Sequence, residues 1–135
     1  MKPLIQRVKR AAVTIDGSLY SSISYGLLVF VGVEKSDENF NVEKLVDKIL
    51  KLRIFEDNNQ KMNLSVSDIQ GEILVVSQFT LCGDCKKGTR PSFDNSAPID
   101  RAKELYDYFV TCLKKNYSAV KTGKFQAMMD VELVN

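Results

Sequence analysis

The sequence predicts a mixed α/β fold of the α+β kind, a sheet system carrying two helices, on three observations. Strand-like segments rich in β-branched residues dominate both ends, two amphipathic helical patterns occupy the middle, and the apolar runs 27–33 and 72–78 have the length and branching of buried strands. With 135 residues, 44% of them hydrophobic and 27% charged, residues 1–135 are expected to form one domain with enough apolar material for a core. A domain of this size leaves roughly a third of its unfolded-chain surface exposed, so a second copy of the chain can close a face.

Leu4 to Val8 and Ala11 to Ile15 read as strands, and Asp16-Gly17 supplies the two-residue turn that suits a hairpin, with Ser18 to Ile23 as the return strand. After Tyr25-Gly26 the run Leu27 to Val33 reads as a strand buried on both faces, and the whole opening as a three-stranded meander. Ser36 or Asp37 is placed to cap a helix whose apolar face is Val42, Leu45, Val46, Ile49 and Leu50. The Asp57-Asn58-Asn59 cluster and the polar stretch to Gly71 read as connecting structure, and Glu72 to Gln78 as the centre of the sheet. From Cys82 to Pro98 the chain is irregular, and a loop this long leaving a buried strand is expected to be functional. A second helix follows with Ala102, Leu105, Tyr106, Phe109, Val110 and Leu113 on one face and Pro98 at its start. Phe125 to Ala127 and Asp130 to Val134 read as short strands.

Composition excludes several chemistries. The absence of histidine removes Ser-His-Asp and Cys-His nucleophile pairs, imidazole bases and every histidine-containing zinc site. A net charge of +2 does not by itself mark a nucleic-acid binder, and no DNA partner is expected. The N-terminus offers no apolar stretch long enough for a signal peptide or membrane span, so a cytoplasmic protein without a membrane partner is expected. Three cysteines, an odd number, argue for free thiols. Cys82-Gly83-Asp84-Cys85 has the spacing of a zinc or redox half-site, but only Cys112 remains to complete it and the pair does not open a helix. They read as incidental loop thiols, with no metal and no cofactor expected.

Chemistry has one natural place. Ser77, Gln78, Phe79 and Thr80 put hydroxyls and an amide where the central strand leaves the core, although, taken as physics alone, a hydrogen-bonding strand end in a packed sheet is the better account of such residues. The segments Ile5-Gln6-Arg7-Val8, Leu52-Arg53-Ile54-Phe55-Glu56-Asp57, Lys61-Met62-Asn63-Leu64-Ser65, Val76-Ser77-Gln78-Phe79-Thr80-Leu81, Lys87-Gly88-Thr89-Arg90-Pro91-Ser92-Phe93 and Thr122-Gly123-Lys124-Phe125-Gln126-Ala127 carry more. In these the chain resembles the D-aminoacyl-tRNA deacylases, with the family's order and spacing along essentially the whole length.

The resemblance implies two packed β-sheet layers covered by two helices, and a homodimer with active sites at the subunit interface. It implies hydrolysis of the ester joining a D-amino acid, or glycine, to the terminal ribose of tRNA, so the partner is the acceptor end of aminoacyl-tRNA. Residues matching Ser77, Gln78, Phe79 and Thr80 line the family's site, where main-chain groups hold the aminoacyl end. That suits a chain without histidine, because backbone N–H groups stabilise an oxyanion without a titratable side chain, and a ribose hydroxyl of the substrate can help activate the water. Thr80 has no identifiable base to make it a nucleophile, so positioning or backbone contact is expected of it.

Met129 matches a methionine lining the aminoacyl pocket, with core filling as the competing explanation. Arg7 matches an arginine supporting the chirality-selecting loop, with an edge-strand charge as the alternative. Lys86, Lys87 and Arg90 can contact tRNA phosphates or be solvated loop charges. Family members continue beyond the strand matching 130–135 into a Gly-Pro segment with a cis peptide bond that excludes L-amino acids from the partner's site. The sequence stops at Asn135, before that element. Shortening of a longer chain is expected, since the break falls in mid-strand with the upstream motifs intact; a natural chain without the gate is the other explanation. Two further functions compete: a domain editing L-aminoacyl-tRNA, and a tRNA-binding module with weakened or lost catalysis.

Overall fold

The computed structural model describes residues 1–135, and the alternation of side chains along two central strands organises it. The strands are β1 (Lys2–Val8), β2 (Arg10–Ile15), β3 (Ser18–Ile23), β4 (Gly26–Gly32), β5 (Phe55–Glu56), β6 (Met62–Leu64), β7 (Glu72–Ser77), β8 (Val120–Thr122) and β9 (Asp130–Val134). The helices are α1 (Asn39–Lys51) and α2 (Ile99–Asn116). A four-stranded sheet runs β1-β4-β7-β8, antiparallel at β1-β4 and parallel at β4-β7 and β7-β8. A three-stranded antiparallel sheet, β3-β2-β9, packs on one face and the helices cover the other.

The two apolar runs are buried on both faces for this reason. Leu27, Val29 and Val31 of β4 and Ile73 and Val75 of β7 point to the helices, where they meet Val42, Val46 and Ile49 of α1 and Leu105, Phe109 and Leu113 of α2. Leu28, Leu74 and Val76 point the other way, onto Ala11, Val13 and Ile23 of the smaller sheet. Each side chain of Leu, Ile or Phe size so buried contributes about 1.5–3 kcal/mol of transfer free energy. Two cores thus share one sheet, and the expected sheet layers covered by two helices are present.

Several elements differ from expectation. The opening is not a meander: β1 joins β4, whereas β2 and β3 form a hairpin in the other sheet. Only Lys9 separates β1 from β2, and with no turn residues there the chain passes from one sheet into the other instead of folding back. The hairpin turn is as expected, with Asp16 and Gly17 both at positive φ. Helix α1 is not capped by Ser36 or Asp37. The buried Asp37 carboxylate accepts from the Glu34 N–H (2.7 Å) and the Met1 amino group, and Glu38 takes the cap position, its N–H bonded to the Asn41 side chain (2.9 Å).

The 57–71 stretch contains one arm of a small hairpin, β6 pairing with β5. Phe125 to Ala127 is a turn, with Gln126 at a φ of 63°, and the strand lies earlier, at β8, against β7. The irregular loop is pinned at two points, by main-chain bonds between Asp84 and Ser92 (2.8 and 2.9 Å) and by a bridge between Glu34 and Ser96. No helix is long and apolar enough to cross a membrane.

Candidate functional site

Strand β7 ends at Ser77 and the chain turns at once into a single 3-10 turn, Phe79–Cys82. Three contacts fasten that turn to the end of β4. The Gln78 N–H donates to the Val31 carbonyl (2.9 Å), the Cys82 thiol donates to the Val33 carbonyl (3.4 Å), and the turn lies directly on Gly32. A Cβ on Gly32 would sit 3.0 Å from the Gln78 carbonyl oxygen and from Cys82 Sγ, and 3.1 Å from Leu81 Cβ, so any side chain here would make the turn give by a few tenths of an ångström. Cys82 is therefore a buried part of the support and not a loop thiol; burial pushes its pKa up, with the Glu34 charge adding to the effect. Cys85, by contrast, is exposed.

The turn's first intrachain bond runs from the Leu81 N–H to the Gln78 carbonyl (3.3 Å). The N–H groups of Phe79 and Thr80, just before it, are the unpaired donors that every helical start leaves. The Gln78 side-chain amide donates to the Thr80 hydroxyl, which no carboxylate or amine contacts. Ser77, Gln78 and Phe79 form one wall of a cleft of 560 Å³. The facing wall is the 125–129 segment, ending in Met129, and the sides are Val31 and Val33 of the β4 end and Ile99 and Ala102 of α2. Twelve of the sixteen lining residues are hydrophobic, which suits an apolar side chain held beside a few main-chain polar groups.

Phe79, Ile99 and Met128 stand at the cleft with 57, 61 and 89% of their surface exposed, an apolar rim with nothing in the chain covering it. The basic loop is tethered to this rim. Phe93 packs on Phe79 with ring centroids 5.2 Å apart, and the Asp84–Ser92 bridge closes off a segment on which Lys86, Lys87 and Arg90 are all exposed.

Comparison with known proteins decides the family. The family model described as D-Tyr-tRNA(Tyr) deacylase matches residues 4–135. The chain belongs to this family. It is 51% identical to the D-aminoacyl-tRNA deacylase of Thermodesulfovibrio yellowstonii and 55% identical to that of Koribacter versatilis, covering 100% of this chain and 92% and 91% of those proteins. Among solved structures, one titled c-Myc DNA Unwinding Element Binding Protein superposes with a TM-score of 0.95 at 43% identity, over 100% of this chain and 92% of that one. A probable eukaryotic D-amino acid tRNA deacylase shares the fold, with a TM-score of 0.84 at 16% identity, over 97% of this chain and 91% of that one.

Against the family pattern, the structure gathers some of the expected residues and separates others. Ser77, Gln78, Phe79 and Met129 meet in one cleft, with Thr80 beside it on the turn. Arg7 lies apart, at the opposite end of the sheet: it pairs with Leu27 at the start of β4, whereas Ser77 pairs with Val31. Its guanidinium donates to the Ile54 carbonyl (2.9 Å), faces Glu56 at 3.6 Å, and shares a small hollow with Asn135. Within one chain Arg7 supports the β5-β6 hairpin and does not reach the cleft. Ile99, Ala102 and the 125–128 turn line the cleft without having been singled out. The turn lies inside a motif that carries the resemblance, but Ile99 and Ala102 carry no chemical signal and reach the cleft only through the placement of α2.

Proposed function

We propose that this chain hydrolyses the ester of D-aminoacyl-tRNA, and of glycine misplaced on tRNA, releasing the free amino acid and tRNA as a proofreading hydrolase of translation. The observation that carries the reading is the apolar cleft at the end of β7, which runs from Phe79 to Met129 and is walled by the start of the turn whose Phe79 and Thr80 N–H groups are unpaired. The relatives named D-aminoacyl-tRNA deacylase support the substrate class.

The chemistry uses no imidazole. Water attacks the ester carbonyl, the Phe79 and Thr80 N–H groups receive the negative charge that forms on its oxygen, and the vicinal ribose hydroxyl relays a proton from the water to the departing ribose oxygen. Met129 and the apolar walls take the amino-acid side chain. Thr80, its hydroxyl held by Gln78 and without a base, positions and does not attack. Lys86, Lys87 and Arg90 face the acceptor-stem phosphates. Arg7, beside Asn135, acts at a distance by supporting the chain end.

The exposed rim of Phe79, Ile99 and Met128 favours a homodimer in which a second copy closes each cleft, and a tRNA substrate places the protein in the cytoplasm. The test is deacylation of D-Tyr-tRNA and L-Tyr-tRNA followed with labelled amino acid, together with the mass in solution. Rapid loss of the D-ester by a particle twice the 15.2 kDa chain mass is expected. A D-ester that outlasts the reaction at stoichiometric enzyme overturns the hydrolase, and a covalent aminoacyl-Thr80 trapped on the native protein overturns the water mechanism.

A further inference from the structure

The cleft is not the only concavity along α2. A second hollow of 500 Å³ follows the seam between α2 and the β8 end, and Phe125 lines both. The Phe125 ring packs on Tyr106, centroids 5.6 Å apart, so one aromatic pair forms the partition between the two hollows. Along α2 the first hollow includes Ala102 and the second extends to Thr111, a rise of about 14 Å. The two hollows adjoin at Phe125 and follow one another along α2 as a track leading away from the cleft, of a length that suits a short extended strand.

The lining of the second hollow is unlike the first. Tyr20 projects from the edge strand β3 with half its surface exposed, and the adjoining Ser21 hydroxyl donates to the Thr122 carbonyl (2.9 Å), which fixes β3 beside the turn carrying Lys124. Lys124 is exposed and forms no ion pair, whereas Lys103 across the track is paired with Asp107 of its own helix. An exposed aromatic ring and an unpaired cation lining one hollow are the two components of sequence-tolerant binding to single-stranded nucleic acid, a stacking platform and a phosphate contact.

We infer that this track is the subsite for the unpaired nucleotides preceding the terminal adenosine of the tRNA substrate, with a base stacked on Tyr20 and a phosphate at Lys124. The assignment rests on the deacylase reading, because it takes the terminal aminoacyl-adenosine to occupy the cleft. It gives the enzyme a hold on the 3′ end that does not depend on the basic 86–90 loop.

The experiment compares two esters of the same D-amino acid, one on intact tRNA and one on adenosine alone, with the wild type, Tyr20→Ala, Tyr20→Phe and Lys124→Gln. For Tyr20→Ala, kcat/KM on aminoacyl-tRNA is expected to fall about tenfold relative to kcat/KM on aminoacyl-adenosine, with Tyr20→Phe restoring it, since stacking needs only the ring. For Lys124→Gln, the slope of log kcat/KM for tRNA against log salt is expected to decrease by about 0.7. Parallel losses on both esters, or no loss on tRNA, overturn the subsite. A changed particle mass in Tyr20→Ala without a tRNA-specific loss assigns the track to a second copy and overturns it as well. A wild type that cleaves neither ester overturns the deacylase reading itself, an outcome separate from a wild type that cleaves both while its variants are unaffected.

Discussion

Replacing Gly32 by alanine tests whether the close seat of the 3-10 turn on β4 sets the chemistry. The added Cβ arrives 3.0 Å from the Gln78 carbonyl oxygen, with Cys82 Sγ and Leu81 Cβ equally near, so the turn must yield by a few tenths of an ångström. None of these neighbours is the free end of a flexible chain. Overpacking of this kind costs about 1–3 kcal/mol, which for a domain of this length lowers Tm by about 3–10 °C. The same displacement moves the N–H groups of Phe79 and Thr80. Since a 1 Å misplacement costs on the order of a hundredfold in rate, a few tenths correspond to a loss in kcat of roughly three- to tenfold. The assay is single-turnover deacylation of D-Tyr-tRNA beside a melting curve, with Ile49→Val as the comparator. Ile49 is fully buried in the helix-side core, and its shortening costs about 0.5–1.5 kcal/mol with kcat unchanged. A Gly32→Ala protein that melts with the parent refutes the packing argument. One that melts lower with its full kcat refutes the link from the turn to the chemistry.

Glu72 accepts from the Ser24 N–H (2.6 Å) and faces Lys121 at 3.2 Å, and that N–H, more than the lysine, holds its carboxyl below the ordinary value of 4.5. A lowered folded-state pKa stabilises above the unfolded value and ceases to do so as pH falls through the folded one. Glu72→Gln should therefore lower stability at neutral pH and match the parent in acid; a constant difference from pH 7 to pH 2 in urea titrations contradicts this. The Tyr117 hydroxyl donates to the Gly71 carbonyl (2.6 Å), with the Val66 carbonyl 3.3 Å away, so Tyr117→Phe should cost about 1–2 kcal/mol at unchanged m-value, read by urea denaturation. A thiol reagent should label Cys85 at once, Cys112 more slowly and Cys82 only on unfolding, so three fast equivalents from native protein would contradict the placement of Cys82.

Much of this architecture is legible in the sequence because its signals are local. The runs at 27–33 and 72–78 read as buried strands because a sheet packed on both faces admits no polar alternation, and Asp16-Gly17 reads as a hairpin because both residues tolerate positive φ. What failed depends on distant partners. Nothing near Lys9 states that β1 will choose β4 over β2, and the cap of α1 moved because Asp37 is held by Glu34 and Met1. The strand at Val120–Thr122 was missed since three residues carry little pattern, while the aromatic Phe125 beside it resembled strand and is a turn. At the site, the Ser77–Thr80 segment was legible as a motif, but its cleft is made by α2 and by residues about fifty positions downstream. The separation of Arg7 from that cleft is a matter of register along β4, which no motif encodes.

Strand β9 pairs with β2, Arg10 opposite Val134, so the smaller sheet joins residues from the two ends of the chain. Pairing across such a span meets a larger loop-closure cost than the local β2-β3 hairpin does. Met129 and Val131, which belong to or adjoin β9, line the cleft and pack against the inter-sheet core. During synthesis, then, a nascent chain long enough to contain both helices and the whole Ser77–Thr80 turn still has no chamber. The chamber exists only once β9 has emerged and paired with β2.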